Sequence, residues 1–114
     1  MKEYVIPYIV GKQDEWWAGI DIYNHNPDSH QIIVSIYKHF NGKIANTFEI
    51  NLQKYSHHLI LPDDINEHIK TDLKNEGRAT VIIRGPDNLM ITPFQASNKG
   101  FGILPIFEDS IVKN

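Results

Sequence analysis

Six histidines, several adjacent carboxylates and one two-faced aromatic stretch are the residues of this chain that could do chemistry. His57 and His58 are neighbours, so on an extended strand they face opposite sides and cannot share one metal ion. A metal site would need His30 or His39 brought across from a neighbouring strand, and polar strand-face histidines are the plainer expectation. The carboxylates pair as Asp14-Glu15, Asp63-Asp64 and Glu108-Asp109, each at a loop or element end where caps and turns use such residues. Ser29 and His30 are adjacent in a turn, which is not the geometry of a nucleophile and its base. No phosphate-binding loop, dinucleotide fingerprint or Gly-x-Ser-x-Gly elbow occurs. The reading is a non-enzyme without metal or cofactor.

The stretch Trp16-Trp17-Ala18-Gly19-Ile20-Asp21-Ile22-Tyr23-Asn24 says more. On an extended strand Trp16, Ala18, Ile20 and Ile22 point one way, as a core requires. Trp17, Gly19, Asp21 and Tyr23 point the other, putting large rings and a carboxylate where a monomer usually shows small polar groups. Tyr37 joins them if the following strand pairs with this one. Two occupants suit such a face. One is a neighbouring subunit, with the rings as buried anchors. The other is a glycan, with rings stacked on sugar faces and Asp21 or Asn24 taking hydroxyls. The interface and ligand candidates are therefore Trp17, Asp21, Tyr23, Asn24 and Tyr37.

The elements that must position these residues are short strands. Tyr4 to Val10, Trp16 to Asn24 and Gln31 to His39 read as the first three, the last two joined through Asn26-Pro27-Asp28 and expected to pair antiparallel. Asn41-Gly42 is the dipeptide of a type I′ turn and predicts a hairpin into a fourth strand, Lys43 to Asn51. Leu52 to Leu61, Arg78 to Arg84, Leu89 to Ala96 and Phe101 to Phe107 follow. Prolines 7, 93 and 105 place three of these stretches at sheet edges or bulges. Ile65, Ile69 and Leu73 recur with helical spacing behind Asp63 or Asp64, so residues 64 to 74 predict a short helix, with an irregular loop as the alternative. Glu108 to Asn114 reads as a frayed tail. The fold expected is an all-β antiparallel sandwich of seven or eight strands with one short helix or loop insertion, a single domain over residues 1–114.

Composition narrows the partners. A net charge of −3 with scattered basic residues argues against nucleic acid. No run of about eighteen apolar residues exists to insert in a membrane. The start, Met1 to Val10, lacks the apolar length of a signal peptide, and there is no cysteine. A cytoplasmic location is expected.

The layout also resembles a known family. Asn24 and the Asn-Pro-Asp turn lead into Ile32-Ile33-Val34-Ser35-Ile36-Tyr37. Leu59-Ile60-Leu61-Pro62-Asp63, Arg78-Ala79-Thr80-Val81-Ile82-Ile83 and Met90-Ile91-Thr92-Pro93-Phe94-Gln95 follow in order. This arrangement, from Trp16 to Ser97, resembles the small bacterial sensory-rhodopsin-transducer-like proteins. The resemblance is one of layout and apolar pattern, with no short motif of its own. It implies a β-sandwich homo-oligomer, a tetramer, acting as an adaptor or ligand-binding module with an unknown protein partner.

Overall fold

A computed structural model describes residues 1–10, 17–38, 44–60 and 78–110. The expectations for Trp16, His39, the Asn41-Gly42 turn and the helical segment at 64–74 lie outside these residues. Nine strands are described: β1 (Lys2–Val10), β2 (Trp17–Asn24), β3 (His30–Lys38), β4 (Ile44–Leu52), β5 (His57–Ile60), β6 (Arg78–Gly85), β7 (Leu89–Ser97), β8 (Gly100–Ile103) and β9 (Phe107–Ser110). They form a five-stranded sheet, in the order β4-β3-β6-β1-β9, and a four-stranded sheet, β5-β2-β7-β8. Every strand pairing is antiparallel. The fold is the all-β antiparallel sandwich expected.

Alternating strands explain the two layers. Ile20 and Ile22 of β2, Ile32, Val34 and Ile36 of β3, and Tyr4, Ile6, Val81 and Ile83 belong to one fully buried core between the sheets. Each strand keeps its other face outward. Tyr4 is the one large polar-tipped member of this core, and its hydroxyl donates to the Pro86 carbonyl at 2.9 Å.

Three local expectations need correction. β2 and β3 do not pair; they lie in different sheets. Residues 25–29 carry the chain from one layer to the other, a span a tight hairpin could not bridge across the roughly 10 Å between packed sheets. The last stretch is two strands rather than one. β8 pairs with β7, and the chain then crosses through Leu104, Pro105 and Ile106 to place β9 beside β1. Residues 108–110 are consequently not a frayed tail but an edge strand paired with residues 2–4. Lys2 and Glu108 reinforce that pairing at 3.1 Å.

The prolines sit as their missing N–H requires. β1 breaks register between Ile6 and Ile9, around Pro7, beyond the point where β9 covers it. Pro93 turns its carbonyl towards Leu104, and with it the side on which it has no N–H, where the ladder to β8 runs out. β3 and β4 pair as the hairpin predicted, with Tyr37 opposite Ile44 at its described end.

Candidate functional site

The outward face of the four-stranded sheet is the candidate site. Register brings its residues together. Across β2 and β7, Trp17 opposes Ala96, Gly19 opposes Phe94, Asp21 opposes Thr92 and Tyr23 opposes Met90. β5 adds Leu59 beside Asp21 and His57 beside Tyr23. β8 adds Phe101 beside Ala96 and Ile103 beside Phe94. Directly opposed residues share a face, so these side chains form one surface. Much of it is apolar and open. Trp17 is 36% exposed, Leu59 46%, Met90 57%, Ile103 61% and Phe101 67%. These exposed apolar groups share one sheet face rather than scattering singly.

At one end the rings form a row. The Phe94 ring lies over Gly19, meets the Trp17 ring edge-on at 5.6 Å and 85°, and stacks on Phe101 at 5.5 Å and 30°. The other end is polar. The His57 imidazole N–H at Nδ1 donates to the Asp21 carboxylate, 3.0 Å to Oδ2 and 3.2 Å to Oδ1. The Tyr23 ring lies on that of His57 at 4.6 Å, and its hydroxyl shares a 3.2 Å hydrogen bond with His25 Nδ1. Tyr55 closes the cluster, its ring 5.9 Å from His25. The Asp21 carboxylate thus has a hydrogen-bond donor of its own within the face. The pair resembles an oriented general base, but no Ser or Thr hydroxyl is hydrogen-bonded to His57 among the described residues.

Of the residues singled out from sequence, Trp17, Asp21 and Tyr23 stand together on this face. Asn24 and Tyr37 do not. Asn24 is fully buried on the inner side of β2. Its Nδ2 donates to the carbonyls of Asp28 and Gln53, 3.0 Å each, and its Oδ1 accepts from Asn26 at 2.8 Å. With its amide so engaged it is a clamp for the loops at that end of the sandwich, not a group presented to a ligand. Tyr37 belongs to β3, on the outward face of the opposite sheet. Its expected place rested on the β2–β3 pairing that does not occur. His57 and His58 do face opposite ways, and His30 lies in the other sheet. Among the described residues no three His, Cys, Asp or Glu side chains gather closely enough to hold a metal ion.

Sequence reasoning missed Leu59, Met90, Phe94, Phe101 and Ile103. The period-two rows Met90-Thr92-Phe94 and Phe101-Ile103 carried a signal, but only the pairing of β7 between β2 and β8 shows that they join Trp17.

Comparison by sequence finds no matching family model and no matching curated protein. By structure the chain is similar to the crystal structure of "Thermotoga maritima 1070", with a TM-score of 0.65 over 95% of this chain and 90% of that one. The two are 7% identical, so the likeness is one of fold. Among the described residues, no helix is long and apolar enough to cross a membrane.

Proposed function

We propose that this chain is a non-enzymatic interaction module, a homo-oligomeric scaffold or adaptor whose copies meet through the outward face of the four-stranded sheet. The observation that carries the reading is the row of exposed apolar side chains from Leu59 through Met90 and Trp17 to Phe101 and Ile103. Two central strands of eight and nine residues flanked by two of four residues cover roughly 400 Å² before side-chain relief. That is about half of the ~800 Å² per partner of a standard interface, which places a contact through this face alone at the small end of the range. A second copy is the fitting occupant because most large side chains exposed on the face are apolar and its carboxylate, Asp21, is already hydrogen-bonded to His57. Such a surface can meet itself mainly through apolar contact. A cytoplasmic location belongs to the same reading.

A glycan platform is less well served. Stacking on sugars needs open ring faces, whereas Phe94 and Phe101 stack on one another and Trp17 stands perpendicular to Phe94. Sedimentation at several concentrations, with Trp17 fluorescence followed during sugar titration, separates the two readings. The module reading expects concentration-dependent assembly and no quenching by sugars. A monomer quenched by sugars overturns it.

A further inference from the structure

β8 ends its sheet, and the phase of its ladder is fixed by one hydrogen bond, from Leu104 N–H to the Pro93 carbonyl at 2.9 Å. Main-chain polar groups alternate sides along a strand. Gly102, two residues back, therefore also turns its N–H and C=O towards β7, where it opposes Gln95. Phe101 and Ile103 turn theirs away from β7. Among the described residues no strand lies beyond them.

An exposed edge of this kind is normally guarded by charge, proline or a bulge. Two of the other edges carry a charge, Glu49 on β4 and Glu108 on β9, and β5 presents two polar histidines, His57 and His58. β8 is Gly-Phe-Gly-Ile, with no charge, no proline and a regular register to β7.

We propose that the edge of β8 pairs antiparallel with β8 of a second copy, centred on Gly102, to join two four-stranded sheets into one. The register is self-complementary. A two-fold axis at Gly102 sets Phe101 of one copy opposite Ile103 of the other, where both have outward N–H and C=O groups. Each such pair exchanges two hydrogen bonds, so the contact makes four and leaves none of these groups unmet. The two Gly102 residues oppose each other at the close, non-bonded position, where the absence of side chains avoids crowding. A Cβ at Gly100 or Gly102 would meet nothing within 4 Å, so no side chain of the same chain blocks the inner side of this edge. On the outer side Phe101 and Ile103 form apolar cross-strand pairs between copies. The ring row Trp17, Phe94, Phe101 runs towards this edge and continues into the second copy. That continuity favours a second copy over an unrelated extended peptide. The contact uses main-chain groups and is separate from the face-to-face contact above.

Residue-resolved amide exchange tests it. At concentrations where the protein assembles, the Phe101 and Ile103 amides should exchange at least about tenfold more slowly than on dilution. Gly102, bonded within the chain, should be protected throughout. Ile103→Pro deletes an outward donor while sparing the bonds to β7, and should weaken assembly by about tenfold or more. Ile103→Thr keeps that donor and should weaken it less. Phe101 and Ile103 amides that exchange equally fast when assembled and when dilute overturn the proposal. So do proline and threonine variants that behave alike, or a wild type that stays monomeric. Trp17→Ala separates the two contacts. If it disrupts assembly while the β8 amides remain unprotected, the face reading stands and the edge pairing fails. If the β8 amides are protected and assembly is indifferent to Trp17→Ala, the edge pairing stands and the face reading fails.

Discussion

A Cβ placed on Gly19 would stand 2.7 Å from Cζ of Phe94 and 3.2 Å from the Ile60 carbonyl oxygen. The glycine is therefore what lets the tip of the Phe94 ring come down on β2 while the ring touches both Trp17 and Phe101. Gly19→Ala should displace that ring and lower stability by about 1–3 kcal/mol, as overpacking does. Part of the cost should vanish in Gly19→Ala/Phe94→Ala, since the ring can yield where the carbonyl of β5 cannot. Urea unfolding of the two single variants and the double variant gives the coupling directly. Additive effects would mean that the two residues do not constrain each other.

Asn24 is the second test of local geometry. Its amide joins the loop after β2 to the turn before β5, and Asn26 extends the link to the Asp87 carbonyl at 2.9 Å. Asn24→Ala removes three hydrogen bonds at once, although the Gln53 carbonyl keeps the Ser56 hydroxyl as a donor, and should cost about 2–3 kcal/mol. Asn24→Asp keeps the shape but sets a buried carboxylate against two carbonyl oxygens, and should cost more. Thermal denaturation of both variants ranks them. Equal stability of the aspartate variant and wild type would remove the clamp.

The sandwich was legible because its signals are local. Alternation of Ile20/Ile22, Ile32/Val34/Ile36 and Val81/Ile83 marks half-buried strands, and prolines 7 and 93 mark the places where ladders stop or bulge. What sequence could not supply was which strands neighbour each other. Adjacent strands usually pair, which favoured β2 with β3 and drew Tyr37 into the site. The two strands instead lie in different sheets, and each turns its isoleucine row into the shared core. The same non-local choice brings Phe94 and Phe101 to Trp17 across three strands. Asn24 illustrates a different limit. Its parity with Ile20 and Ile22 pointed inward, yet a buried amide can be recognised as a clamp only when its three partners are in place.

Trp17→Ala probes the assembly face. The ring is more than a third exposed and touches Phe94 edge-on, so its loss should cost the isolated fold little. If copies meet on this face, the same substitution removes an aromatic anchor and should weaken association by about 2 kcal/mol or more. Sedimentation of wild type and variant at matched concentration measures the shift, and urea unfolding supplies the control. Assembly that tolerates the substitution would place the contact elsewhere.

Alkaline stability should report on Tyr4 and Lys2. Burial holds the Tyr4 phenol above the ordinary tyrosine value, and the hydrogen bond to Glu108 holds the Lys2 ammonium above the ordinary lysine value. In both cases the folded protein binds its proton more tightly than the unfolded chain does. The associated stability is thus complete below the unfolded-state values, and it is lost as pH rises from about 10 through the folded-state ones. Tyr4→Phe removes one of the two groups together with the hydrogen bond to the Pro86 carbonyl. The variant should be less stable than wild type at pH 8 by about 1 kcal/mol, yet lose less on going to pH 11. Melting curves across that range test both halves of the expectation. A variant whose stability falls as steeply as that of wild type would mean that Tyr4 ionises in the folded protein as freely as in the unfolded chain.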